Sequence, residues 1–85
     1  MKQITWDPEK NEKLKRERGV SFEEVLLAVE NGDLMTIERH SKLRYQHQYL
    51  MVVLINGYPH EVPFIETEEH IELITIFPNR KRKKE

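Results

Sequence analysis

Eighty-five residues without a cysteine make one domain near the small end of what can bury its own core, and exclude both disulfide staples and thiolate metal sites. A charged fraction of 34% against a hydrophobic fraction of 38% describes a thin-cored domain. No apolar run approaches the roughly 18 residues of a membrane span. With no leader-like stretch ahead of the first strand, the default expectation is a cytoplasmic location with no membrane partner. The net charge of −1 hides a segregation. Residues 48–78 carry five acids (Glu61, Glu66, Glu68, Glu69, Glu72) and no Lys or Arg, whereas Arg80, Lys81, Arg82, Lys83 and Lys84 follow within seven residues. Fields depend on distribution, so the basic tail at 79–85 is either a solvated end or a local polyanion site.

In chain order, Gln3–Trp6 is β-prone and short, an edge strand or a leading arm. Asp7-Pro8 opens a helix, with Asp as N-cap and Pro at the first helical position. Glu9/Lys13 and Glu12/Arg16 are spaced as i,i+4 pairs, and Gly19 is a left-handed stop. Leu14 is the only apolar residue between Glu9 and Arg18, which leaves Lys10, Lys13, Lys15, Arg16 and Arg18 to face RNA or a protein partner. Ser21 and Glu24 form a capping box that starts a second helix, with Val20 and Val25 at staple positions. Phe22, Val25, Leu26 and Val29 give it one apolar face, and Asn31-Gly32 ends it.

The period then becomes two. Leu34–Arg39 reads as a strand with Met35 and Ile37 on one face, and His40–Gln46 as a polar loop or frayed strand. His47–Ile55 is apolar on both faces, as a central strand requires. Asn56-Gly57 is a hairpin turn. Tyr58–Glu66 follows, where Pro59 and Pro63 predict a bulged or edge strand. Thr67–His70 turns the chain, and Ile71–Phe77 is the last strand, ended by Pro78. The expected fold is α+β: two N-terminal helices on a four-stranded antiparallel sheet, a meander, with a short leading strand as an open addition.

Four histidines (His40, His47, His60, His70) lack any helical metal-ligand spacing, so no metal or cofactor is expected. The glycines are each explained by a turn or cap, and no hydrolase elbow or phosphate loop is present. The remaining constellation runs from Glu38 to His47, interleaving Arg39, Lys42 and Arg44 with His40, His47 and Tyr45. Single-stranded RNA recognition uses such a mixture, cations for phosphate and an aromatic plane for a base. Metal-free RNA cleavage needs a base for the 2′-OH proton, an acid for the leaving oxygen and a cation on the phosphorane. His40, His47, Arg44 and Arg80 have the chemistry for those catalytic roles. Lys13, Arg16, Arg39, Lys42, Tyr45, Lys81 and Arg82 have that of RNA contacts. A polar surface loop has a similar composition, so the pattern also fits a residue run without a site.

Trp6-Asp7-Pro8-Glu9-Lys10-Asn11, followed after a basic helix by Gly19-Val20-Ser21-Phe22-Glu23-Glu24, resembles the opening of the BrnT family of bacterial toxins. The apolar central strand and the late Ile71-Glu72-Leu73-Ile74-Thr75-Ile76 extend the similarity across most of the chain, and the first thirty residues are its specific part. The Ile74-Thr75-Ile76-Phe77-Pro78 ending also resembles DUF4258-type domains. The chain departs from the toxin family at Glu17-Arg18, where Lys-His is usual, and at Phe77, where a strand-borne arginine is usual. The resemblance implies a RelE-like sheet with helices packed on it. It further implies the toxin of a type II toxin–antitoxin pair, an endoribonuclease cleaving mRNA, partnered by a small DNA-binding antitoxin. A dimer, through the sheet or within that complex, is left open, as are two other functions: a non-catalytic partner-binding module of the same fold and a basic-tailed RNA-binding domain.

Overall fold

A computed structural model describes residues 2–39 and 48–79. Its elements are β1 (Gln3–Trp6), α1 (Pro8–Arg18), α2 (Phe22–Glu30), β2 (Leu34–Arg39), β3 (Gln48–Ile55), β4 (Tyr58–Glu66), β5 (His70–Leu73) and β6 (Phe77–Pro78). The fold is α+β, two helices against a mostly antiparallel sheet of six strands. Strand order is β1-β5-β4-β3-β2, with β6 joined to β4.

Both helices obey their local signals. Asp7 accepts the amide of Glu9 at 3.0 Å, Pro8 opens α1, and Gly19 ends it at φ 70° with its N–H on the Lys15 carbonyl. Ser21 and Glu24 exchange both bonds of the capping box. The α2 exit is a Schellman motif: Gly32 N–H meets the Val29 carbonyl and Asp33 N–H that of Ala28. The buried side of α2 carries Phe22, Val25 and Ala28, while Leu26 and Val29 lie half-buried at its flanks. That side packs on Met51, Val53, Ile55, Val62, Phe64 and Leu73 of the sheet. Fully burying a side chain such as Phe22 or Val25 contributes about 1.5–3 kcal/mol.

The sheet departs from the expected four-stranded meander in three places. The leading stretch is a full strand: β1 lies parallel to β5, from Gln3 opposite His70 to Trp6 opposite Leu73. Parallel neighbours need a long connection, so this pairing has no trace in adjacent sequence. The expected strand Ile71–Phe77 is split into β5 and β6. Finally, β4 is internal, paired with β3 from Tyr58 to Ile65 and with β5 and β6 on the other side.

The last two differences share one cause. Pro63 and Pro59 direct their carbonyls away from β3, where they accept the amides of Ile74 and Asn79 at 2.9 and 3.1 Å. In an antiparallel strand the N–H and C=O of one residue point to the same side, and the prolines are an even number of residues apart. Both missing donors therefore face the β5–β6 side and none interrupts the β3 ladder. The ladder is broken on that side instead, at Ile74–Ile76 opposite Pro63 and Val62. The rule that proline avoids central strands is thus satisfied by one edge of β4 at a time.

At the other end of the sheet, β2 keeps its expected bounds but gains an extra residue. Leu34 pairs with Val53 and Thr36 with Val52, so Met35 is a bulge. The shift undoes the simple alternation that set Met35 and Ile37 on one face. The Asn56-Gly57 turn has both residues at positive φ, 56° and 75°, as a type I′ hairpin demands.

Candidate functional site

Eight of the residues singled out for chemistry, His40, Lys42, Arg44, Tyr45, His47, Arg80, Lys81 and Arg82, lie outside the described residues. Three lie within them. Lys13 and Arg16 are exposed on α1, and neither has an ion pair among the described residues. Arg39 ends β2 with its guanidinium 6.0 Å from the Tyr49 ring centre. No described hydrogen bond or ion pair joins Arg39 to the α1 bases.

The basic set on α1 is divided in its roles. Lys15 is drawn to Glu12 at 3.4 Å and Glu23 at 4.0 Å, in place of the i,i+4 pairs that spacing alone favours. Arg18 stays exposed but reaches across the surface: Nη1 donates to the Ile76 carbonyl, and its guanidinium carbon stands 5.9 Å from the Phe77 ring centre. Arg18 is therefore a fastening between α1 and the segment that leads to the basic tail. The same segment is held further on, where Asn79 donates from its main chain to the Pro59 carbonyl and from Nδ2 to the Glu61 carboxylate. Ile76, between these points, is fully buried in the core.

Asn11 is also structural. It is 4% exposed, its Oδ1 accepts the Phe22 amide at 2.8 Å, and its Nδ2 donates to Glu23 at 2.9 Å. One side chain thus satisfies an orphan donor at the start of α2 and pins that helix to α1. The Asn11 bond is the largest cause holding the Glu23 carboxyl below its ordinary pKa, and the nearby Lys15 charge acts in the same direction. Trp6 stacks on Phe22, ring centres 5.7 Å apart, and completes the joint.

The two described histidines have strand-end roles. His60 is buried, and its Nδ1–H donates to the Tyr58 carbonyl at 2.8 Å. His70 starts β5 over the Thr67 turn, whose hydroxyl accepts the amides of Glu69 and His70. Among the described residues no cluster of three or more His, Asp or Glu is placed to hold a metal.

One surface was not evident from the sequence. An apolar groove of about 360 Å³ crosses the sheet from Leu34 and Ile37 on β2 to Ile4 on β1, beside Val29 of α2. Its lining includes Val29, Ile37, Tyr49, Met51, Phe64 and Ile71. At its rim Glu66 is paired with Lys2. Of its β2 residues, Leu34 and Ile37 are 36% and 57% exposed, and the neighbouring Met35 is 48% exposed. Exposed apolar side chains gathered at a sheet edge are a feature that sheets commonly cover or blunt. The available signal was the apolar Leu34-Met35-Thr36-Ile37 run, but only the bulge decides which of these residues face water. Comparison with protein-family models, with curated proteins and with solved structures finds no match to this chain.

Proposed function

We propose that this chain is the toxin member of a type II toxin–antitoxin pair, a metal-independent endoribonuclease whose working surface a small DNA-binding partner covers. The pairing is supported by one observation above the others: the groove and the Leu34, Met35 and Ile37 side chains leave an apolar surface open at the β2 edge. The RNA substrate is supported by the resemblance carried by Trp6–Glu24, by the bases between Arg39 and Arg44, and by the tail from Arg80. In this reading a 2′-oxygen attacks the adjacent phosphorus and the 5′-oxygen leaves, giving a 2′,3′-cyclic phosphate and a 5′-hydroxyl. His40 or His47 takes the 2′-OH proton and the other delivers one to the leaving oxygen. Arg44 and Arg80 offset the charge of the phosphorane. Lys13, Arg16, Arg39, Lys42, Lys81 and Arg82 hold phosphates, and Tyr45 stacks on a base.

The test is cleavage of single-stranded RNA by purified protein, alongside Arg80→Ala and His47→Ala, with growth followed on expression. Cyclic-phosphate products from the parent chain, and loss of about 10²-fold or more in the His47 variant, are expected. Intact RNA at micromolar protein together with unimpaired growth would sink the enzyme. The apolar groove would then favour the second reading, a non-catalytic partner-binding module of the same fold.

A further inference from the structure

β2 closes one end of the strand order, so the far side of its backbone pairs with no strand among the described residues. Sheet edges are commonly blunted by proline, lysine, a bulge or a covering element. Leu34–Arg39 contains no proline and no lysine, and the bulge at Met35 leaves Thr36–Arg39 in one unbroken register against β3. Within that stretch Ile37 is 57% exposed, and Met35 beside it is 48% exposed.

Set against a copy of itself, β2 has one antiparallel register that fits. Residues opposed across two strands share a face of the sheet. Ile37 and Arg39 lie on the face of Met51 and Tyr49, whereas Thr36 and Glu38 lie on that of Val52 and Leu50. A two-fold axis centred on Glu38 or Arg39 sets like charges directly opposite each other, which is unfavourable. An axis at Thr36 carries the ladder through the Met35 bulge of both strands. An axis at Ile37 sets Ile37 against Ile37 and Thr36 against Glu38, apolar on apolar and hydroxyl beside carboxylate, with the bulges at the ends.

We infer that a second copy of this chain covers the β2 edge: the two β2 strands pair antiparallel about a two-fold axis at Ile37 and join both sheets into one. Ile37 also lines the apolar groove, so the grooves of the two copies meet at the axis. The arrangement is isologous and closes on itself, leaving no free β2 edge for a third copy. One short strand from each side makes a small interface, below about 1,200 Å² in total, and dissociation in the micromolar range is expected. This pairing does not depend on the toxin reading. A partner that covered Ile37 in that reading would displace the second copy.

Sedimentation velocity of the full chain, from about 1 µM to several hundred micromolar, should show monomer giving way to dimer and to nothing larger. Ile37→Cys supplies the chain's only thiol. Across the axis its Cα stands about 4.5–5.5 Å from that of the second copy, within the span of a disulfide, so mild oxidation should yield a covalent dimer. Met35→Cys places the two thiol-bearing residues more than about 10 Å apart and should stay monomeric under the same oxidation. Ile37→Lys and Ile37→Glu should each sediment as monomers, because like charges then face each other at the axis, and an equal mixture of the two should regain the dimer. Thermal melts of each variant show that it is folded. A parent chain that stays monomeric throughout, species that keep growing with concentration, equal cross-linking of the two Cys variants, or a mixture that stays monomeric overturns the pairing. Each of those results leaves the RNA-cleavage reading standing, since that is decided by a separate assay.

Discussion

Replacing Asn11 by Ala removes both halves of the α1–α2 joint, and the size of the loss follows from where each bond sits. The Phe22 amide belongs to a residue with 0% exposure and loses its acceptor at 2.8 Å, leaving a buried donor unsatisfied. That costs about 1–3 kcal/mol. The bond to Glu23 is worth less, because the Glu23 side chain is 57% exposed and water replaces the lost donor. It adds at most about 1 kcal/mol. A total near 2–3 kcal/mol is a large share of the roughly 4–13 kcal/mol available to a domain of this length. At about 4–8 °C per kcal/mol the midpoint should fall by roughly 10–20 °C. Thermal and urea unfolding followed by circular dichroism measure this directly. Asn11→Asp sharpens the test: it keeps an acceptor for Phe22 but sets a carboxylate against Glu23, and should lie between the parent and the Ala variant at neutral pH. A loss below about 0.5 kcal/mol for Asn11→Ala, or full parental stability for Asn11→Asp, would refute the assignment of Asn11 as the joint.

The same contact has a pH signature. Because the folded-state pKa of Glu23 is depressed, with the Asn11 bond as first cause, its contribution is present above the unfolded carboxylate value and is lost as pH falls through the folded one. As pH falls below about 4.5, stability should therefore drop less steeply in Asn11→Ala than in the parent, as urea midpoints across an acid series will report. Gly57→Ala forces a Cβ onto a residue at φ 75° and should cost about 1–2 kcal/mol, read as a shift in urea midpoint. Ile37→Lys, at a side chain 57% exposed, should change stability by no more than about 0.5 kcal/mol, and under the proposed pairing should weaken association with the proposed antitoxin, seen as lost co-purification. If RNA is the ligand, as proposed, Arg16→Ala should flatten the salt slope of its binding by about 0.7, the mark of a direct phosphate contact.

How far the sequence alone reached depends on the range of the forces involved. Helix starts and stops were legible because capping is decided within four or five residues: Asp7, Gly19, Ser21 and Glu24 each make the bond their spacing implies. The bounds of β2 and β4 and the Asn56-Gly57 turn were legible for the same reason, since alternation and backbone chirality are local. The parallel pairing of β1 with β5 was not, because its partners are more than sixty residues apart and nothing nearby encodes them. Pro59 and Pro63 misled as single residues. Whether a missing donor matters depends on which neighbour it faces, and the tertiary arrangement gives that side of β4 to a broken partner. Arg18 was likewise indistinguishable by type from Lys13 and Arg16, and only the passage of Ile76 and Phe77 beneath α1 gives it a different task. Sequence determined the elements and the chemistry available to the chain. Packing decided which of those groups are spent holding the molecule together and which are left to meet a partner, because that choice is made by distances no local pattern contains.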